Sequence, residues 1–288
     1  MTTADKTFED LRPLLFSIAY RMLGSVMEAE DMVQEAYLRY QNVPPETIQS
    51  AKAFLTTVVT RLCLDQLKSA KTQREEYIGE WLPEPLLTEG VPGAIIGDRE
   101  DISMAFMVLL ESLSPIERAV FLLREVFDYP YDEIGKIVDK SEANCRQYYH
   151  RAKHYLVEKR PRFVPEPDEQ RRLLEGFMMA VSMGDVEALN QILAENVSVT
   201  GDGGGKRIAA KRPVVGRAAV ARFMIGLGKL MPDNAGFAIT EFNGAPALLL
   251  WNDGEPYCVM HFTVSAGAIV AIHNVLNPDK LRHIRVQD

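Results

Sequence analysis

Apolar positions over the first seventy residues recur at helical spacing. Leu11, Leu14, Leu15, Ile18, Ala19 and Met22 form one stripe, and Met32, Val33, Ala36, Tyr37 and Tyr40 form a second. Pro44-Pro45 interrupts the pattern, and a third helix is predicted over about Ala51–Ser69. Helical periodicity resumes at Ala105–Leu110, Pro115–Val126, Tyr131–Val138 and Glu142–Glu158, with short turns between. Beyond the proline-rich stretch 160–170 the pattern changes class. Helices at about 170–183 and 185–194 lead to the alternating Val197-Ser198-Val199, and another helix is predicted near Gly216–Leu230. Runs rich in β-formers follow at Phe237–Phe242, Ala247–Trp251, Tyr257–Val264 and Ala268–Val275. The pattern predicts a multidomain chain: two all-α units, then an α+β unit whose helices precede a curved antiparallel sheet.

Residues 75–104 are rich in Pro and Gly and read as a linker. Trp81, Leu82, Leu86 and Leu87 are costly to leave in water, so part of it is expected to dock on a neighbour. Charge sharpens this picture. The chain carries 32 basic and 40 acidic residues, a net −8, and the acidic excess lies almost wholly in 75–111, with 1 basic and 9 acidic groups. A chain acidic overall is not the basic object expected of a simple nucleic-acid binder, so the local distribution decides. Cys63, Cys145 and Cys258 are odd in number and far apart, which fits neither a disulfide framework nor a zinc site. No metal or cofactor is expected, and a reducing cytosol is the simple reading. No apolar run approaches the ~18 residues of a membrane span.

The segment 129–156 carries the clearest chemistry. Helix Tyr131–Val138 is one turn from a second helix with Ser141 as N-cap. Cys145, Tyr148, Ala152 and Tyr155 are expected to pack against Ile134 and Ile137, leaving Asn144, Gln147, Arg151 and His154 outward, flanked by Arg146, His150 and Lys153. Between Lys140 and Arg162 there are 7 basic and 2 acidic residues. A helix-turn-helix pushes such a face into the major groove, where Arg and Lys match guanine edges and Asn and Gln match adenine. A solvated cationic helix is the plainer alternative.

The stretch "TGDGGGKR" (200–207) is not a phosphate loop. Three residues separate Gly201 from Gly205 where four are needed, and Arg207 stands where a magnesium-binding hydroxyl belongs. Asp202 followed by Gly203, Gly204 and Gly205 reads instead as a tight turn.

"LSPIERAVFLLREVFDYPYDEIGKIVDKSEANCRQYYHRAKHYL" resembles the promoter −35-reading domain of bacterial sigma factors of the extracytoplasmic-function type. "AEDMVQEAYLRY" (29–40) resembles the helix with which such factors grip the polymerase clamp, and "AFLTTVVTRLCLDQLKSA" (53–70) their −10-reading helix. The 168–288 pattern resembles the SnoaL-like branch of the NTF2-like fold. "WLPEP" (Trp81, Leu82, Pro83, Glu84, Pro85), "DGGGK" (Asp202, Gly203, Gly204, Gly205, Lys206) and "NPDKL" (Asn277, Pro278, Asp279, Lys280, Leu281) are markers of a subgroup with this extension, in which it replaces a separate anti-sigma protein.

The resemblance implies region 2 at 1–74, an acidic linker at 75–104, region 4 at 105–165 and a regulatory domain at 166–288. It implies a non-enzymatic factor that binds core RNA polymerase, through the clamp helices of the largest subunit and the flap of the second, and promoter DNA. A small-molecule or protein effector at the C-terminal domain is also implied. Asp31, Gln34 and Glu35 would meet the polymerase. Lys52, Phe54, Arg61, Gln66 and Lys68 would serve the −10 element, with Phe54 and Arg61 departing from the Trp and Asn of most relatives. Ser141, Asn144, Arg146, Gln147, His150, Arg151 and Lys153 would serve the −35 element. Trp81 and Leu82 are expected to anchor the linker near Asp202–Lys206 and Asn277–Leu281, with Lys206 and Lys280 pairing with Glu80 or Glu84. Two rival readings stand beside this one: a ligand-responsive helix-turn-helix repressor or activator, and a SnoaL-type cyclase or isomerase in which His261 or His273 points into a pocket.

Overall fold

The computed structural model describes residues 3–75, 77–90, 102–159, 166–232 and 234–286. The rest of the expected linker, 91–101, and the proline-rich junction at 160–165 lie outside them. The chain forms two compact units. One comprises the two helical segments, and the other joins linker residues 77–90 to the C-terminal part.

The helical unit begins with α1 (Thr3–Leu23), α2 (Val26–Gln41) and α3 (Ala51–Glu75). Ser25 caps α2 by accepting from the Glu28 amide at 3.1 Å, satisfying one of the free N–H groups of its first turn. Leu15, Ile18, Met22, Val33, Ala36, Leu55 and Val59 are buried, as the helical stripes require. Next come α4 (Met104–Leu110), α5 (Pro115–Phe121) running into a π-helical turn (Leu122–Val126), α6 (Tyr131–Val138) and α7 (Glu142–Lys159). A Ser114–Glu117 capping box opens α5. Polar ties join the two halves of this unit. Arg118, buried in α5, donates to the Met22 carbonyl and pairs with Glu111, both at 2.6 Å. The Thr56 and Tyr129 hydroxyls meet at 2.9 Å.

The α6–α7 corner shows why a glycine occurs at 135. Asp139 ends α6 in the left-handed region (φ 54°, ψ 54°), folding the Lys140 carbonyl back over the helix. A Cβ on Gly135 would lie 2.7 Å from that oxygen. Ser141 then caps α7, accepting from the Asn144 amide at 3.2 Å. The buried stripe of α7 is Cys145, Tyr149, Ala152 and Leu156. Tyr148 and Tyr155, expected on that face, are only half-buried. The seam follows 4-3-4 spacing, and Tyr149 enters it because its ring stacks against Phe121 (centroids 6.2 Å apart) while its hydroxyl reaches Glu125.

The second unit contains α8 (Pro167–Met183), α9 (Val186–Ile192), β1 (Leu193–Asp202), β2 (Val214–Val215), α10 (Arg217–Gly228), β3 (Ala235–Phe242), β4 (Ala245–Asn252), β5 (Glu255–Ser265) and β6 (Ala268–Val275). A 3₁₀ turn, Pro278–Leu281, follows. The six-stranded sheet has the order β2-β1-β6-β5-β4-β3. It is not wholly antiparallel as expected, because β1 runs parallel to β6. Alternation reveals which side chains share a face but not which way a strand runs, and β1 reaches β6 only across the rest of the unit. Leu174, Phe177, Val220 and Met224 from the helices pack on the face carrying Leu248, Leu250, Cys258, Met260 and Phe262. Val259 and His261, odd positions of β5, lie on the other face and are also buried.

Replacing Gly135 by Ala should destabilise the protein by about 1–3 kcal/mol, the usual scale of an overpacked site. In urea denaturation followed by circular dichroism, Gly176→Ala is the counter-case. Beyond its chain neighbours and its own helix backbone, nothing lies within 4 Å of a Cβ placed there, so this helical glycine should gain up to about 1 kcal/mol on substitution.

Candidate functional site

The outward face of α7 is as polar as its sequence. Asn144, Arg146, Gln147, His150, Arg151 and His154 are all exposed. Arg146 pairs with Glu142 and lies 4.6 Å from the Tyr131 ring centre, while Arg151 pairs with Glu117 at 3.1 Å. Exposed pairs of this kind are worth little and exchange readily for phosphate. Lys153 sits elsewhere. It is half-buried, bonded to the Tyr149 hydroxyl at 2.8 Å and to Glu125 at 3.1 Å, and so turned away from the exposed face. That bonding raises its pKa, the Tyr149 hydrogen bond leading.

On α2, Asp31 and Gln34 are exposed, and Glu35 is half-buried beside Arg39 at 2.8 Å. Met27 and Leu38, missed by the sequence reading, extend this face with exposed apolar side chains at 49% and 46%. On α3, Phe54 lies 6.2 Å from Tyr40, centre to centre. Lys52 stands 5.6 Å over the Tyr129 ring, Gln66 donates to Glu28 at 2.8 Å and Lys68 pairs with Asp65 at 2.8 Å. Arg61 is engaged: Nε donates to the Ile137 carbonyl and Nη2 to the Lys136 carbonyl, both at 2.9 Å. The guanidinium thus satisfies two orphan carbonyls at the end of α6, where the helix dipole favours a cation. Lys52, Phe54, Arg61 and Tyr129 line one groove of about 890 Å³.

The second unit holds a buried clamp on the linker. Asp202, the last residue of β1, has no exposure to solvent. Its Oδ1 accepts from the Tyr77 hydroxyl at 2.5 Å and the Gly204 amide at 3.1 Å. Its Oδ2 accepts from the Leu82 amide at 2.8 Å and from Lys280 Nζ at 2.7 Å. Lys280, also buried, donates to the Leu82 carbonyl and lies 3.8 Å from the Trp81 ring centre. Asn277 donates to the Tyr77 hydroxyl at 2.8 Å. The "DGGGK" turn therefore begins as strand, and its glycines make the approach possible: a Cβ on Gly204 would sit 2.2 Å from Asn277 Nδ2.

Further along, the linker pairs with the β3–β4 hairpin. Leu86 donates to Asn243 Oδ1 at 3.0 Å, Asn243 returns its amide to the Leu86 carbonyl at 2.8 Å, and Thr88 donates to the Glu241 carbonyl at 2.9 Å. His283 Nε2 donates to the Pro85 carbonyl at 2.7 Å. Pro83, Glu84 and Pro85 are buried.

The three marker stretches thus meet, through Asp202, Lys280, Asn277, Trp81 and the Leu82 main chain. Lys206 pairs with Asp279 and holds that carboxyl below its usual range. Lys280 pairs with Asp202 and donates to a backbone carbonyl. A linker held by its main chain leaves no trace in side-chain type. Asn243 and His283, which hold linker main chain, were missed for the same reason, although Asn243-Gly244 carries the left-handed dipeptide of a two-residue hairpin turn (φ 53° and 71°). Tyr77 was missed because Asp202, the partner of its hydroxyl, is 125 positions away.

Neither histidine lines the cavity enclosed by the sheet and α10, which is bounded by Phe223, Leu227, Cys258, Met260 and Asn274 among others. His261 and His273 pair across β5 and β6 on the opposite face. Loss of hydration pulls His261 down to about 3, with His273 a secondary cause, and His273 down to about 4.

Residues 7–73 match the family model for sigma-70 region 2, and residues 103–156 that for sigma-70 region 4. The chain is 37% identical to the ECF RNA polymerase sigma factor SigJ of Mycobacterium tuberculosis, over 95% of this chain and 91% of that protein. It is 31% identical to the probable ECF RNA polymerase sigma factor SigI of the same organism, over 96% and 94% of the two chains. The crystal structure of the M. tuberculosis SigJ superposes with a TM-score of 0.78 at 34% identity, covering 96% of this chain and 98% of that one.

Two outcomes follow from the geometry. Lys280→Met leaves the Asp202 carboxylate buried without its cation, which should cost about 3–5 kcal/mol in urea unfolding and open residues 77–90 to protease. The histidines give a pH slope. Their folded values lie below the ordinary 6.5, so between about pH 4 and 6.5 the unfolded chain binds protons that the folded chain does not. Their contribution is present above pH 6.5 and is lost as pH falls. The melting temperature should drop from pH 7 to pH 5, and the slope should be shallower in the His261→Gln/His273→Gln variant.

Proposed function

This chain belongs to the extracytoplasmic-function family of RNA polymerase sigma factors, and we propose that its C-terminal α+β unit controls promoter engagement in cis by holding the interdomain linker. Such a factor acts with core RNA polymerase on promoter DNA and performs no chemistry itself. In this reading α7 enters the −35 major groove, with Asn144, Gln147 and Arg151 at base edges and Arg146 and His150 on phosphates. The α3 helix serves the −10 element through Lys52, Phe54, Arg61, Gln66 and Lys68. The α2 face of Asp31, Gln34 and Glu35 meets the clamp helices of the largest subunit, and the region 4 helices lie on the flap of the second. Lys153, bound to Glu125, supports the fold of α7 in preference to touching DNA.

One observation carries the regulatory part: linker residues 77–90 are bonded into the C-terminal unit by Asp202, Lys280 and Asn243. Promoter recognition requires regions 2 and 4 to stand apart on two DNA elements. The 76–101 segment between them reaches about 90 Å when fully extended, but 91–101 alone reaches only about 40 Å. A clamp on 77–90 therefore fixes the span of more than half of the segment. Arg61 adds a second restraint inside the helical unit, because two of its five N–H donors are held by α6 carbonyls and those two must be released before they meet DNA.

Run-off transcription with core polymerase and a promoter library tests the reading. Promoter-specific transcripts are expected only with polymerase present, and Asn144→Ala and Arg151→Ala should abolish selectivity. Trp81→Ala, which removes a cation–π contact worth about 0.5–2 kcal/mol, should raise transcript yield by about two- to thirtyfold, and truncation after Val275 should act in the same direction. Unchanged yield in both variants would sink the linker clamp, and polymerase-independent operator binding would favour a repressor.

A further inference from the structure

We propose that the apolar cavity of the C-terminal unit is a regulatory site for a small lipophilic molecule carrying one hydrogen-bond donor, whose occupancy is transmitted to the linker clamp through Gly201 and Leu276. The proposal rests on the clamp described above but not on the transcriptional role of the chain.

The cavity encloses about 360 Å³ between α10, β5 and the loop Ile208–Ala210. A second lobe of about 220 Å³ adjoins it, sharing Leu227, Met231 and Met260. Its wall is almost entirely hydrocarbon, which selects an apolar guest and rejects a charged one. Asn274 and Tyr257 are the polar side chains in it, and Asn274 is the buried one. It borders the cavity from β6 with 3% exposure, and its Oδ1 accepts no hydrogen bond among the described residues. An orphan acceptor in such a place is costly, and a guest N–H or O–H would relieve it. Binding is non-covalent. The thiol of Cys258 is pushed up to about 12 by burial, and neither histidine reaches the cavity.

The same wall carries the clamp. Gly201 borders the cavity and is bonded to Asp202, the carboxylate that holds Tyr77, Leu82 and Lys280. Leu276 borders the cavity, donates its amide to the Asp202 carbonyl at 2.7 Å and precedes Asn277, which holds the Tyr77 hydroxyl. The Ala209 and Leu276 side chains stand close against Gly201. A Cβ on Gly201 would lie 3.3 Å from the Ala209 methyl and 3.8 Å from Leu276 Cδ1. A guest that displaces Ala209 or Leu276 therefore displaces the backbone on which both ends of the clamp are hung. Differential affinity for the two clamp states is the only requirement for control.

N-phenyl-1-naphthylamine, apolar with a single N–H, is the probe, and 1-benzylnaphthalene, which has none, is its control. Fluorescence titration of the full chain should show saturable one-site binding of both. Ala210→Trp, filling the cavity, should abolish it. Asn274→Leu should weaken the amine about fivefold or more and leave the hydrocarbon unchanged, a contrast that survives any general loss of stability. Hydrogen exchange of the 77–90 peptide, measured by mass spectrometry, should change at least about threefold on saturation with the amine. Absent binding, equal effects of Asn274→Leu on the two probes, or unchanged exchange in 77–90 at saturation would each overturn the proposal. Transcription is not read in this experiment, so its failure leaves the family function standing.

Discussion

A carboxylate with no access to water must be surrounded by donors, and the placement of Asp202 at the end of β1 imposes that requirement on everything around it. Four donors reach its side chain, and two come from the linker: the Tyr77 hydroxyl and the Leu82 amide. The unit cannot present this edge of its sheet with the linker gone unless water takes those positions. Lys280 is bound by the same logic, since its ammonium is neutralised by Asp202, capped by the Leu82 carbonyl and covered by Trp81. Linker and domain thus complete each other's hydrogen bonding. The linker contributes main-chain atoms, the Tyr77 hydroxyl and the Trp81 face to this closure.

The strength of the arrangement suits a reversible device. Each neutral hydrogen bond contributes a net of about 0.5–1.5 kcal/mol, and a buried ion pair returns little beyond its desolvation cost. Several such bonds together hold the linker by a few kilocalories per mole, the range over which polymerase or ligand binding shifts a population decisively. A hydrophobic interface of the same extent would be stickier and less dependent on geometry. Polar closure makes release cooperative, since loss of one donor leaves the others around an under-satisfied carboxylate.

Much of this was legible in the sequence, and what was not has definite physical causes. Helix caps follow from local rules, so Ser141 sits where its spacing to the apolar run placed it, and Ser25 and Ser114 cap their helices by the same rule. The exposed face of α7 follows from the same periodicity, as do Cys145 and Ala152 of its buried seam, but the choice of tyrosine between them does not. Tyr149 and Tyr148 are chemically alike, and only the position of Phe121 and Glu125 selects the former. Apart from the two-residue β2, strand existence was readable and strand direction was not, so the parallel β1–β6 pairing emerged only in three dimensions. Within the clamp, the marker residues were identifiable while their partners were not. Lys280 and Asp202 are 78 positions apart, and nothing in either neighbourhood states that one neutralises the other.

The failed phosphate loop shows how a motif's chemistry is set by context. Glycines at 203–205 do bring backbone close to a charged group, as in a nucleotide site, but the anion is the protein's own. Gly204 donates to Asp202 Oδ1, and the absent Cβ admits Asn277 in place of a phosphate. Lys206, the residue that would face a γ-phosphate, instead pairs on the surface with Asp279. An internal carboxylate is always present, so the loop cannot respond to nucleotide by occupancy. It responds only to what moves its backbone, and the two segments positioned to do so are the linker on one side and the cavity wall at Gly201 and Ala209 on the other. Control by such a loop is mechanical, with the bound anion serving as the pivot.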